Sequence, residues 1–254
     1  MRLLNRVAIV TGAAESIGKA IAIRFAREGA SVVVNYRTKA DLAAKVVLQI
    51  QAFGGKAIAF CADVSNELEV QHMIQKTIET YGKVDILVNN AGIDPRKKWD
   101  EISVEDWDHV MATNVRSQFI CAKAVFPSMQ LQEYGKIINV SSVVFLTGQK
   151  GYVHYVASKG AIIGFTRALA NEVCVHHINV NAIILGAIET ENELVKLGSS
   201  EAQSMATTML MDVQAIPQRI QTSDIEGMFL FLASTDSDLI TGQSMNIDGG
   251  WMMY

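Results

Sequence analysis

The sequence predicts a single α/β domain, a Rossmann-type doubly wound parallel sheet of about seven strands with helices on both faces. Three observations predict it. Short runs of β-branched and other apolar residues recur along the chain, each followed by a segment with helical periodicity. The runs are continuous rather than alternating, as strands covered on both faces should be. The first run ends in a glycine-bearing turn that opens a helix. The 254 residues, 50% of them hydrophobic, suffice for one core that buries about three quarters of the unfolded surface.

The elements follow in order. Residues 7–11 read as a buried strand and 16–28 as a helix. Residues 31–35, 56–61 and 84–89 read as the next three strands, separated by helices over 42–53 and 66–81. Ser103 and Asp106 stand three apart before an apolar period, a capping box that opens one long helix toward Met129. A fifth strand covers 135–140, a helix follows to about His176, and a sixth strand covers 178–184. A last short strand covers 243–247. No composition shift marks a second domain. Residues 189–214 differ in being polar and rich in methionine (Met205, Met209, Met211). Two readings stand there: a mobile lid over substrate, or a helical hairpin packed on the domain.

A net charge of −4 without a basic stripe argues against nucleic acid. Cys61, Cys121 and Cys174 are odd in number and widely spaced, which argues against a disulfide framework or zinc cluster and fits a reducing compartment. The first six residues lack a signal-peptide pattern, and no segment is apolar enough to span a bilayer. The expectation is a cytoplasmic protein.

The chemistry lies in Ser142, Tyr155 and Lys159. Tyr155 and Lys159 are one helical turn apart, and Ser142 follows the fifth strand. A free phenol titrates near about 10, too high for proton transfer at neutrality. An ammonium on the same helix face favours the phenolate and is expected to lower that value. A hydroxyl from a strand end can then hold a carbonyl oxygen against the phenol. His154 points to another helix face, and His176 and His177 are placed at the helix end, where the dipole favours a cation.

The turn Thr11, Gly12, Ser16, Ile17 and Gly18 sits where a dinucleotide-binding fold places pyrophosphate against a helix N-terminus. These motifs together resemble the short-chain dehydrogenase/reductase family, over the whole chain. In that family's glycine pattern Ser16 replaces the middle glycine. Either Ser16 is forced into positive φ, at about 1–2 kcal/mol, or it is helical and its hydroxyl donates to a phosphate oxygen. The resemblance implies that Asp63 and Val64 meet the adenine, that Asn90, Ala91 and Gly92 support the adenosine side, and that Asn114 holds a relay water. Asn114 with Ser142, Tyr155 and Lys159 would complete the family's catalytic tetrad. Gly186, Ile188 and Thr190 would fix the nicotinamide, where Leu185 replaces a usual proline and is expected to loosen the turn.

The second strand ends without the carboxylate that grips the ribose of NAD. Arg37, with Lys39 nearby, can pair with the extra phosphate of NADP, whereas Glu15 would repel it. NADP is therefore favoured, with NAD as the alternative. The implied activity interconverts a ketone or aldehyde with an alcohol by hydride transfer. Apolar residues Val143 to Leu146 lean toward a 3-oxoacyl thioester, while other stretches are similar to sugar dehydrogenases of the family. A cofactor-binding sensor with little catalysis is the competing class. The resemblance also implies a homotetramer, and the apolar tail from Asp248 to Tyr254 is expected to be tied down, within or between subunits.

Overall fold

The structure is a computed structural model that describes residues 1–253; Tyr254 lies outside the described residues. In chain order the elements begin β1 (Val7–Val10), α1 (Ser16–Arg27), β2 (Ser31–Tyr36), α2 (Ala40–Ala52), β3 (Lys56–Cys61), α3 (Glu67–Tyr81) and β4 (Ile86–Asn89). Next come α4 (Val104–Met111), α5 (Ser117–Leu131), β5 (Gly135–Ser142), α6 (Val144–Thr147), α7 (Val153–Val173) and β6 (Ile178–Leu185). The chain closes with β7 (Ile188–Glu189), α8 (Glu191–Leu197), α9 (Ser200–Val213), β8 (Ile220–Gln221), α10 (Thr222–Ala233) and β9 (Ser244–Ile247).

Seven strands form one parallel sheet in the order β3-β2-β1-β4-β5-β6-β9. Strand residues alternate between two cores, as a period of two requires. Ala8, Val10, Val32, Val34, Ile86 and Val88 pack with Ile21 and Phe25 of α1, Val46 of α2 and Phe229 of α10. Ile9, Val33 and Leu87 face the other way, onto Met73 of α3, Val125 of α5 and Val173 of α7. Both faces are covered, so the apolar runs are unbroken. The strand order reverses between β1 and β4, which opens a crevice at their carboxyl ends, the usual ligand position in such sheets.

One local expectation is met and one is refined. The capping box at Ser103 is present, with Asp106 N donating to Ser103 Oγ at 3.1 Å and Ser103 N to Asp106 Oδ2 at 3.0 Å. Residues 189–214 contain two short helices, α8 capped by Thr190 and α9 capped by Ser199, with Gly198 at φ +75 between them. The long helix expected from residue 103 to 129 runs on to Leu131, with a π turn at Ala112–Arg116 inside it. Asn114 sits in that turn and is fully buried. Its Nδ2 donates to Ile93 O at 2.9 Å and its Oδ1 accepts from Ile93 N at 2.8 Å. The wider turn thus coincides with a tertiary bond to the loop after β4. Such π bulges recur at functional sites.

The tail folds back on its own subunit. Gly250 N and Met252 N each donate to the Asp248 carboxylate at 3.0 Å, and Trp251 and Met252 pack against the cluster of Val143, Ile163 and Ile184. Among the described residues no helix is long and apolar enough to cross a membrane.

Candidate active site

The turn after β1 is held by side chains from three strands. Thr11 Oγ1 accepts from Asn90 N and Ala91 N at 2.9 and 3.0 Å. Asn90 Nδ2 donates to Thr11 O and Gly12 O at 2.9 and 3.2 Å. Asn35, buried at the end of β2, accepts from Gly12 N at 3.2 Å and donates to Ala62 O at 3.1 Å. Gly12 needs its φ of +62. Gly18 is needed for space: a Cβ there would lie 2.4 Å from Gly12 O and 2.7 Å from Asn90 Nδ2.

Ser16 takes φ +50, so the strained reading is the one realised, and the helical alternative does not hold. Its hydroxyl is buried without a partner among the described residues and lies on the wall of the crevice. An orphaned donor beside a glycine cradle at a helix N-terminus suits a phosphate-bearing group. Gly12, Ser16, Ile17, Gly18, Arg37, Asp63, Val64, Asn90, Ala91 and Gly92 all line this one cleft. Thr113, Ile93 and Asn192 also line it. These three lack a local pattern that sequence reasoning could have used.

The outer end of the cleft holds two cation–carboxylate pairs. Arg37 Nη1 is 3.6 Å from Asp63 Oδ2. Lys39 pairs with Glu15, which also accepts from Asn192 Nδ2 at 2.9 Å. Burial raises the Glu15 pKa, but the bonds from Asn192 and Lys39 outweigh it and leave the carboxyl below its ordinary range. The charge expected to repel a phosphate is therefore already countered.

Gly186, Ile188 and Thr190 lie beyond this wall. Gly186 N donates to Ile247 O at 2.9 Å, and a Cβ on Gly186 would meet Asp248 Cα at 2.8 Å. Leu185 is the buried last residue of β6, and its carbonyl accepts from Val143 N at 2.9 Å. Neighbouring strands β5 and β9 thus bond to the segment where the family's proline would stand. Ile188 is buried in the β7–β8 pair. Thr190 caps α8 by accepting from Glu193 N at 3.1 Å, and with Ser16 it lines an adjoining cleft.

The candidate reacting groups gather at the carboxyl end of β5. Ser142 ends that strand and hydrogen-bonds the Tyr155 phenol. Lys159, 6% exposed, has its Nζ 5.5 Å from the Tyr155 ring centroid and donates to Val140 O at 3.0 Å. Asn114 Nδ2 bonds Ser158 Oγ at 3.0 Å, tying the π turn to α7. Gly92 joins the two halves: a Cβ there would lie 3.1 Å from Asn114 Oδ1 and 3.9 Å from Lys159 Nζ.

One electrostatic expectation is corrected. The phenol is not lowered; burial pushes it well above its ordinary value, Asp94 adds to the rise, and the Ser142 hydrogen bond offsets only part. Lys159 is itself pulled down to about 8 by burial, against the opposing pull of Asp94. Spacing placed the amine correctly but could not reveal how much desolvation both groups carry. Asp94, which sequence reasoning missed, lies in the loop after β4 and pairs with Lys196 of α8. His154 is buried, and neither ring nitrogen has a hydrogen-bond partner among the described residues.

A family model described as enoyl-(acyl carrier protein) reductase matches residues 12–252. The chain is 37% identical over 253 residues to a 3-oxoacyl-[acyl-carrier-protein] reductase of Synechocystis sp., covering 99% of each. It is 36% identical to the Staphylococcus epidermidis protein of the same name, covering 98% of this chain and 100% of that one. Among solved structures, a putative gluconate dehydrogenase from Agrobacterium tumefaciens aligns at TM-score 0.91 and 31% identity, over 98% of this chain and 96% of that one. A short-chain dehydrogenase from Burkholderia cenocepacia, in complex with NADP, aligns at TM-score 0.88 and 30% identity, over 99% of each chain. With this full-length agreement added to the sheet order and the site geometry, the chain belongs to the short-chain dehydrogenase/reductase family of NAD(P)-dependent carbonyl–alcohol oxidoreductases.

Proposed function

We propose that the protein reduces a carbonyl compound to an alcohol, or runs the reverse, with NADP as its preferred dinucleotide and Tyr155 as proton donor. The observation that carries the reading is the convergence of Ser142 and Lys159 on Tyr155. Backbone N–H groups at Ile17 and Gly18, with the Ser16 hydroxyl, would hold the pyrophosphate, and Gly12 would let the backbone approach it closely. Asp63 and Val64 would meet the adenine, Asn90, Ala91 and Gly92 the adenosine side, and Gly186, Ile188, Thr190 and Lys159 the nicotinamide end. Arg37 would take the phosphate that distinguishes NADP, since its pairing with Asp63 is loose at 3.6 Å. When bound, the nicotinamide supplies or accepts the hydride.

Tyr155 stays protonated at neutral pH because burial disfavours the phenolate. That is the form a donor to a developing alkoxide needs, the alkoxide being the stronger base. Ser142 holds the same oxygen and stabilises its growing charge. Lys159 places a cation against the phenol as its proton leaves, and Asn114 positions the route by which the proton is replaced. Ser16, Leu185 and Glu15 motivate the sensor reading, and the presence of Ser142, Tyr155, Lys159 and Asn114 together argues for the enzyme.

Titration with NADPH and with NADH, followed by nicotinamide fluorescence and a panel of ketones, aldehydes, thioesters and alcohols, tests the proposal. Tighter binding of NADPH with turnover of a carbonyl compound is expected. Dinucleotide binding without turnover of any member would return the sensor reading. Candidate substrate classes are a 3-oxoacyl thioester, as in the names of the curated relatives, and a sugar, polyol or aldonate, as in the gluconate dehydrogenase title.

Asp94 is expected to set the pH profile. Its carboxylate disfavours the Tyr155 phenolate and favours the Lys159 ammonium, raising both pKa values. Asp94→Asn removes that charge, so both fall. In the reduction direction, where Tyr155 must carry its proton and Lys159 its charge, the alkaline limb reports loss of the Lys159 ammonium at about 8 and moves to lower pH. A profile of kcat/KM against pH that does not move would exclude the coupling.

Helices α8 and α9 are proposed to act as a lid over the cleft. Asn192 and Lys196 sit one helical turn apart on α8 and reach Glu15, in the turn after β1, and Asp94, in the loop after β4. A homotetramer is supported by the exposed apolar side chains Trp107, Phe119 and Val153 on α4, α5 and α7. Light scattering after gel filtration would test it. Unpaired Cys61, Cys121 and Cys174 support a cytoplasmic location.

A further inference from the structure

The loop after β4 is pinned at two points. Ile93 is bound both ways by Asn114, and Lys97 N donates to Gly151 O at 2.9 Å in the turn before α7. Between these pins stands Arg96. Its Nε donates to the Tyr152 hydroxyl, and its guanidinium carbon lies 5.0 Å from the centroid of the Tyr152 ring. Tyr152 is buried, and its ring centroid is 5.5 Å from that of Tyr155. An arginine is thus held one aromatic ring away from the reacting phenol.

The charge of Arg96 is not answered within the described residues. Asp94, the loop carboxylate closest to it in sequence, pairs with Lys196, Asp106 pairs with Lys97, and Glu101 pairs with Lys98. The two terminal amino groups of Arg96 have no hydrogen-bond partner among the described residues. A planar guanidinium whose Nε is fixed and whose other nitrogens are open is arranged for two-point recognition of a carboxylate. An independent observation points the same way. Val143 and Val144 are buried, and Phe145 and Leu146 pack against the cluster that holds Trp251 and Met252. The apolar wall expected to meet an acyl chain is therefore largely spent on the core.

We propose that Arg96, seated on Tyr152, anchors a carboxylate of the substrate, so that this enzyme acts on an oxo acid or hydroxy acid in preference to a neutral carbonyl compound. The proposal rests on Tyr155 as the proton-transfer group. It narrows the substrate class of that site and makes Arg96 its specificity-determining residue.

The test uses matched pairs of straight-chain oxo acids and their methyl esters of increasing length, together with an oxoacyl thioester. Wild type, Arg96→Gln and Arg96→Lys are compared. In the wild type one chain length is expected to give kcat/KM at least about tenfold higher for the acid than for its ester. Arg96→Gln should raise KM for that acid by about tenfold or more, leave the ester within about twofold, and be partly rescued by Arg96→Lys. Calorimetric titration with a saturated carboxylate of the same length, in the presence of NADP, should show binding to the wild type that Arg96→Gln loses. Equal or better turnover of esters or thioesters, unaffected by Arg96→Gln, would overturn the proposal and leave the proton-transfer reading intact. No turnover of any carbonyl compound would count against the proton-transfer reading, and calorimetry would still decide whether Arg96 binds the anion.

Discussion

Tyr155→Phe is expected to lower kcat by about 10²–10⁴-fold, the usual contribution of a positioned general acid, while the fold and dinucleotide binding persist. The ring remains, so its contact with Tyr152 and the packing around it are kept. Only the hydroxyl and its bond to Ser142 are lost, a change of about 1 kcal/mol in stability. The loss should fall on kcat and kcat/KM together, because the group acts in the transition state and adds little to ground-state binding. Stopped-flow binding of NADPH and a thermal melt would check the unchanged properties, and steady-state rates the changed one. A variant with full activity would remove Tyr155 from the chemistry and with it the assignment of Ser142 and Lys159. The raised phenol value sharpens the expectation: no other group named at the site both holds a proton at neutral pH and bonds the Ser142 hydroxyl.

Gly18→Ala is expected to damage the cleft itself. The new methyl would stand 2.4 Å from Gly12 O, 2.7 Å from Asn90 Nδ2 and 2.9 Å from Ala13 Cα. Two of these are backbone atoms of the same turn, and the third is the side chain that bonds Thr11 O and Gly12 O. No flexible chain end is available to move aside, so α1 must shift away from the turn. The cost is about 1–3 kcal/mol in stability, as for other overpacked sites. The shift also withdraws the N–H groups at the start of α1, so dinucleotide affinity should drop by about tenfold or more, one such lost interaction corresponding to about 1.4 kcal/mol. Thermal melts and fluorescence titration measure the two effects separately. Unchanged affinity would show that the turn does not hold the dinucleotide.

Much of this was legible in one dimension. The β-branched runs mark β1, β2, β5 and β6 closely, because strands buried on both faces must be apolar throughout. The capping box at Ser103 was visible because both its bonds are made within one turn. The π turn at Asn114 was not visible, since its bonds run to Ile93 and Ser158 on other elements. The pairing of β5 and β9 on either side of Leu185 was hidden for the same reason.

The order of residues alone set which atoms the site would contain, because helix and strand periods place Tyr155 beside Lys159 and deliver Ser142 at a strand end without outside help. The charge state of that site was settled by folding. Burial raised the phenol and lowered the amine, and the bonds from Asn192 to Glu15 and from Lys196 to Asp94 join groups 177 and 102 positions apart. Desolvation and long-range pairing depend on what the whole chain packs around a group, and no local pattern carries that information.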